Sequence, residues 1–316
     1  MPKTLHSESS ASGRPVLIHP GFHKTGTTFL QNRIFSDERV FRAVWSHGEI
    51  DRYVIRPHDL DFDPIPGRQD IATRRRASQP GLIDIVSSET LCGQPFTGSR
   101  EAVMQARRLK DIFDGAKIVF TIRKQASIIK AIYIQYLIMG GLLSPEEFFD
   151  RKGLYGYFSF DAHVFEFHKL VEFYAGLFGD ENIIVLTQEE LKKDLGAFVQ
   201  KLRLFCDVAD CETPISLGDK GHDGVSPPPT GIPLLRLANR FRTVAVNADA
   251  PARLPLVGRL LVNVAYRQSW LFRDQGARLD SAIHERFDGM FGASNLRLQR
   301  FAPANLRSLG YEMSAE

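Results

Sequence analysis

The segment His19-Pro20-Gly21-Phe22-His23-Lys24-Thr25-Gly26-Thr27-Thr28 brings two glycines, a lysine and three threonine hydroxyls into ten residues. A glycine-rich turn that opens a helix leaves backbone N–H groups unpaired, and with the positive end of the helix dipole these groups hold anions. Lys24 adds a mobile positive charge, and Thr27 and Thr28 add hydroxyl donors. The chemistry this supports is that of a phosphate cradle. It is not the common nucleotide loop G-x-x-x-x-G-K-[ST], whose lysine directly follows the second glycine. Gly21 and Gly26 keep that separation, but Thr27 follows Gly26 and the lysine lies inside the loop. A kinase built on such a loop would also need a carboxylate for magnesium. Asp84 is the one obvious candidate, and it falls within a strand rather than at its end.

What must position this loop is an alternation of short apolar strands and helices. Residues 15–19 read as a strand. Residues 27–35 read as the helix it feeds, with Phe29, Leu30, Ile34 and Phe35 on the apolar face. Residues 81–86, 117–122 and 183–186 read as three more buried strands. Helices are expected from a Ser99 cap through Phe113, over residues 126–139 with Gly140-Gly141 as the stop, and from Ser144, where Pro145 and Glu147 complete a capping box. Two more are expected over residues 160–178 and 188–206. Strands that alternate with helices predict an α/β fold, a parallel sheet with helices on both faces. Residues 37–80, with Pro57, Pro64, Pro66 and Pro80, read as irregular. Residues 218–233 read as loop, and the remainder as a helical, arginine-rich extension in which residues 254–266 form a core helix.

The chain has 316 residues, 43% apolar and 24% charged, enough to bury a sizeable core and too apolar for wholesale disorder. Lys+Arg 40 against Asp+Glu 37 leaves +3, far from the basic excess of a dedicated nucleic-acid binder. Cys92, Cys206 and Cys211 form neither a C-x-x-C pair nor a disulfide framework, so no metal is expected. Residues 1–14 are polar and Ser-rich. They read as a disordered tail without the apolar core of a secretory signal, leaving residues 15–316 as one domain and the cytoplasm as the expected compartment. No apolar run reaches the roughly eighteen residues of a membrane span, so no stable membrane insertion is expected.

The run Gly21-Phe22-His23-Lys24-Thr25-Gly26-Thr27-Thr28-Phe29-Leu30-Gln31 resembles the 5′-phosphosulfate loop of the sulfotransferases that use 3′-phosphoadenosine 5′-phosphosulfate (PAPS). It is closest to bacterial members carrying G-x-H-K-T-G-T-T-x-L-Q. The strand ending at Arg123 resembles the family's 3′-phosphate strand, and the segments around residues 178–191 and Ser294-Asn295-Leu296 are similar to its later parts. The resemblance implies a P-loop-like, doubly wound fold with a helical C-terminal extension, PAPS as co-substrate without a metal, and sulfuryl transfer to a hydroxyl or amine of a small-molecule or carbohydrate acceptor, a glycolipid included. It implies that Lys24, Thr25, Gly26, Thr27 and Thr28 hold the 5′-phosphosulfate and that Arg123 holds the 3′-phosphate. The family's serine eight residues after that arginine is Ala131 here, leaving Ser127 or Lys130 as substitutes.

For the base that takes the acceptor's proton the sequence offers Glu89, directly after a strand, and His23, beside Lys24. Arg68 and Arg74-Arg75-Arg76 either offer forks to an acidic acceptor or form a solvated charge run. Residues 220–226 stand where family members close a lid. Two other readings stay open: an ATP-dependent small-molecule kinase with a degenerate loop, and a catalytically inactive binding module, which Ala131 favours.

Overall fold

Five parallel strands form one sheet in the order β2-β3-β1-β4-β5: β1 (Leu17–His19), β2 (Phe41–Trp45), β3 (Ile83–Ser87), β4 (Lys117–Ile122) and β5 (Ile183–Thr187). The computed structural model describes residues 15–76, 82–150, 160–208, 226–242, 254–267 and 274–314. The tail over 1–14, Cys211 and all of the expected lid but Ser226 lie outside the described residues.

The strands are apolar on both sides because both sides are covered. Ile18, Val86, Ile118, Phe120, Ile122, Ile183 and Val185 point into one core, and their neighbours Leu17, Ile85, Val119, Ile184 and Leu186 into a second. The first core is shared with α4 (Ala102–Ile112), α5 (Gln125–Ile138) and α7 (His168–Phe178). The second is shared with the helix that leaves β1 and with α9 (Leu195–Phe205). That first helix is α1 (Thr27–Phe29), continued in wider π turns over Leu30–Ile34. The expected α/β sheet with helices on both faces is therefore present. Beyond it lie α10 (Ile232–Asn239), α11 (Pro255–Arg267), α12 (Asp274–Phe287) and α13 (Gly292–Leu298), the expected helical extension.

Residues 37–80 depart from expectation. They contain the edge strand β2, α2 (His47–Ile50) and α3 (Ile65–Arg76). The strand is disguised by Arg42, whose charge is met across the sheet: Arg42 is in register with Asp84 and its Nε donates to Asp84 Oδ1 at 2.8 Å. Arg75 Nε donates to the other oxygen of Asp84 at 3.0 Å, and Arg74 Nε to Asp70 at 2.7 Å. Of the arginines considered for an acidic acceptor, Arg74 and Arg75 are thus committed to carboxylates beside β2, and Arg68 Nε donates to the Asp111 carbonyl at 2.5 Å.

Three boundaries also differ. Ser99 is no cap: it sits in a left-handed turn (φ 49°) and α4 starts three residues later. The stretch over 188–206 is two helices, α8 (Gln188–Lys193) and α9, because Asp194 leaves helical geometry to cap α9 through Ala197 N–H at 2.9 Å. The stretch over 160–178 becomes a 3-10 turn, Ala162–Phe165, followed by α7. The Ser144 capping box is present in both directions (2.7 and 3.2 Å), opening α6 (Pro145–Asp150). No described helix is long and apolar enough to cross a membrane.

Candidate active site

In an open parallel sheet ligands collect beyond the carboxyl ends of the strands, where the chain order reverses. Here β1 lies between β3 and β4, and the ends of these strands deliver Gly21–Thr28, Glu89 and Arg123 to one cavity of about 730 Å³. Its lining includes His23, Lys24, Gly26, Thr27, Thr28, Glu89 and Arg123. All three proposed catalytic side chains are thus brought together, with four of the cofactor residues.

The loop curls through three left-handed residues, Gly21 (φ 52°), Lys24 (φ 64°) and Gly26 (φ 98°). For lysine that conformation carries strain, which typically collects at functional sites. α1 begins at Thr27, directly after Gly26. Thr25 is fully buried instead of facing the cavity, and its hydroxyl donates to the Phe22 carbonyl at 2.6 Å.

Beneath the loop runs a chain of hydrogen bonds whose direction can be worked out. Thr25 spends its proton on Phe22, so Thr121 must donate to Thr25 (2.9 Å). Thr121 then accepts from His19 Nε2–H (3.0 Å), and His19 Nδ1 accepts from Ser87 (2.8 Å), which in turn receives Gln31 Nε2–H (3.1 Å). The chain ties the ends of β1, β3 and β4 to the loop, and it requires a neutral His19. Burial lowers that imidazole's pKa from 6.5 to about 3. Because the folded state resists the proton and the unfolded chain does not, stability falls as the pH drops from 6.5 toward 3. By about pH 5 this amounts to about 2 kcal/mol. Urea unfolding of wild type and His19→Gln at about pH 7 and about pH 5 checks this. The variant, whose amide cannot titrate, should lose less on acidification; equal losses would remove His19 as the cause.

Lys24 Nζ reaches out of the loop and donates to Gln135 Oε1 at 2.6 Å. Burial lowers its pKa; Glu89 opposes this and Arg123 adds to it. Arg123 donates to the Lys24 carbonyl at 3.3 Å, bracing the loop, and burial lowers its pKa against the pull of Glu189. His23 Nε2–H donates to the Gly93 carbonyl at 3.1 Å, which leaves Nδ1 as the free lone pair, 3.9 Å from Glu89 Oε1. Burial holds His23 below its ordinary pKa, with Glu89 opposing. Gly93 is needed where it stands: its φ is 75°, and a Cβ would lie 2.8 Å from the Ser99 Cα. Glu89 opens a 3-10 turn whose first amides are capped by Ser88 (3.3 Å to Thr90 N), and its side chain is 40% exposed against 16% for His23.

The 3′-phosphate side is only partly as expected. Ala131 lines the cavity, but Ser127 and Lys130 do not. Lys130 points instead at Asp280, 2.7 Å away on α12. The stripe of α5 that enters the cavity is Ala131, Gln135 and Met139, one residue per turn. Gln135 and Lys192 of α8 are cavity residues that motif reading passed over. Period-four spacing after Arg123 is the one signal that points to Gln135. Ser226 also lines the cavity. Asp84 lies mid-strand, 5% exposed and held by two arginines, away from this lining. Among the described residues no group of three His, Cys, Asp or Glu could hold a metal ion.

No protein-family model matches this chain, and no curated protein matches it. Among solved structures it is similar to a sulfotransferase from Alicyclobacillus acidocaldarius, at 15% identity and TM-score 0.46, over 78% of this chain and 99% of the other. It is also similar to a sulfotransferase domain from the curacin biosynthetic pathway (11%, TM-score 0.40, 85% and 96%). A mouse sulfotransferase complexed with PAP is a third (14%, TM-score 0.34, 92% and 90%). At such values the likeness adds nothing to what the sheet order already states, so the chemistry must be argued from the site itself.

Proposed function

We propose that this protein is a sulfotransferase that moves the sulfuryl group of PAPS to a hydroxyl or amine of an acceptor, with a carbohydrate or glycolipid as the favoured class. The observation that carries the reading is the convergence of Lys24, Glu89 and Arg123, from three separate segments, on one cavity beside a left-handed, helix-opening loop. The amides of residues 25–28 would hold the 5′-phosphate and Arg123 the 3′-phosphate. Lys24 would neutralise the charge that grows on the bridging oxygen as its bond to sulfur breaks. The acceptor oxygen forms the new bond to sulfur, Glu89 takes its proton, and adenosine 3′,5′-bisphosphate leaves. The work is positioning and charge stabilisation, as in phosphoryl transfer. Gln94, Gln135 and Phe96 in the same lining offer amide groups and an aromatic face, which suit a sugar. The magnesium-dependent kinase is disfavoured because Asp84 is already committed to Arg42 and Arg75.

The test is thermal unfolding with adenosine 3′,5′-bisphosphate, with ATP and magnesium, and with 5′-AMP. A ligand at a hundred times its Kd adds about 2.7 kcal/mol, a rise of about 4 °C for a chain of this size. A shift with the bisphosphate alone is the expected result. A shift with ATP and magnesium alone would replace this reading by the kinase. No shift with any would leave an inactive module, with Ala131 the first residue to suspect.

A further inference from the structure

Residues 254–266 are expected to form a core helix, yet α11 turns its leucines outward. One side of it packs: Gly258 is buried against α10, where a Cβ would meet Arg242 and the Ala238 carbonyl, and Ala265 is buried beside Gly231. On the other side Leu256 is 79% and Leu260 64% exposed, with Val257 exposed beside them. At 3.6 residues per turn Leu256, Leu260 and Arg267 fall within about 40° of one another, flanked by Arg259 and Tyr266. Next to α11, α10 exposes Leu237 and Arg240. Residues 226–242 and 254–267 contain five arginines and no Asp or Glu, and Arg240, Arg259 and Arg267 have no carboxylate partner among the described residues.

We propose that the outer face of α10 and α11 is a docking surface for an anionic lipid bilayer. The leucines would enter the boundary between headgroups and acyl chains, and the arginines would meet the lipid phosphates. A tyrosine at the edge of such a face suits the interface. The charge argues against the obvious alternative occupant, since a second copy of this chain would set arginine against arginine, with no acid among the described residues of these two segments to relieve them. The 13 described residues of α11 cover about 20 Å, short of a hydrocarbon core of about 30 Å. The surface is firmly mounted. Asn239 donates to the carbonyls of Leu137 and Gly141, both at 2.8 Å, so α10 is fixed to the end of α5 that carries Met139 into the cavity. Docking would bring the cavity near the bilayer.

The full-length chain should sediment with vesicles of phosphatidylcholine mixed with phosphatidylglycerol, but not with phosphatidylcholine alone, and high salt should release it. Leu256→Ser with Leu260→Ser should weaken binding at least about tenfold, and Arg259→Ala and Arg267→Ala about fivefold each. Because all four side chains are exposed, the variants should melt like wild type, which separates lost binding from lost fold. The proposal is overturned if anionic vesicles bring down no protein, if binding survives the leucine substitutions, or if ultracentrifugation shows a dimer that those substitutions break. None of these outcomes depends on whether the cavity transfers sulfuryl groups.

Discussion

Lys24→Ala is expected to lower the turnover of sulfuryl transfer by about 10²–10³ or more, while leaving the protein folded. The size follows from the lysine's place. It is the one cation carried by the loop itself, beside the amides that would hold the 5′-phosphate, with a single hydrogen bond, to Gln135, to give up. Charge developing on the leaving oxygen would lose its nearest counter-charge. The fold should not suffer. Burial and Arg123 both disfavour the charged amine, so removing it relieves an electrostatic cost, and alanine keeps the Cβ that the left-handed backbone already accommodates. The lowered pKa also sets a sign for pH: wild-type turnover should fall on the alkaline side below the 10.5 of an ordinary lysine, as the amine loses its proton. Turnover across pH, with the affinity for adenosine 3′,5′-bisphosphate measured by calorimetry, checks both. Near-normal turnover in the variant would end the assignment.

Much of this was legible in the sequence, and the exceptions have physical causes. The strand at 117–122 is a β-branched and aromatic run between a glycine turn and an arginine, so its limits match the observed β4. The helix-opening loop is legible because Gly21 and Gly26, both left-handed, bracket the turn from β1 into α1. The edge strand β2 is not, since its charge is satisfied by Asp84, a residue more than forty positions away, and it carries an irregularity between Ala43 and Trp45. The same pairing hides the role of Arg75. α11 misleads in the opposite direction: composition shows that it is apolar, but only the packing of Gly258 and Ala265 shows which side is inward. Gln135 is invisible to motif reading because it belongs to a helical stripe, and its partner, Lys24, is remote in sequence.

Glu89→Gln is expected to cut turnover by about 10²–10⁴, the usual worth of a positioned general base, whereas His23→Gln should cost about tenfold or less. Both side chains line the cavity, but their surroundings divide the roles. His23 is largely buried, and its Nε2–H is committed to the Gly93 carbonyl, so the ring is held in one orientation with only Nδ1 available. Burial keeps it neutral, and Lys24 beside it adds to that. A proton arriving on His23 would place two cations side by side in the loop, beside Lys24. Glu89 carries no such penalty. It is more exposed, it stands at the end of β3 where an acceptor can enter, and its carboxylate already faces the imidazole at 3.9 Å. The glutamine keeps the shape and a hydrogen-bonding oxygen but cannot take a proton. The loss should therefore appear in kcat more than in KM. Glutamine at position 23 carries its amide N–H out to where Nε2–H stands, so it can still donate to the Gly93 carbonyl and hold the loop. An unchanged rate in Glu89→Gln together with a large loss in His23→Gln would reverse the assignment and make His23 the base.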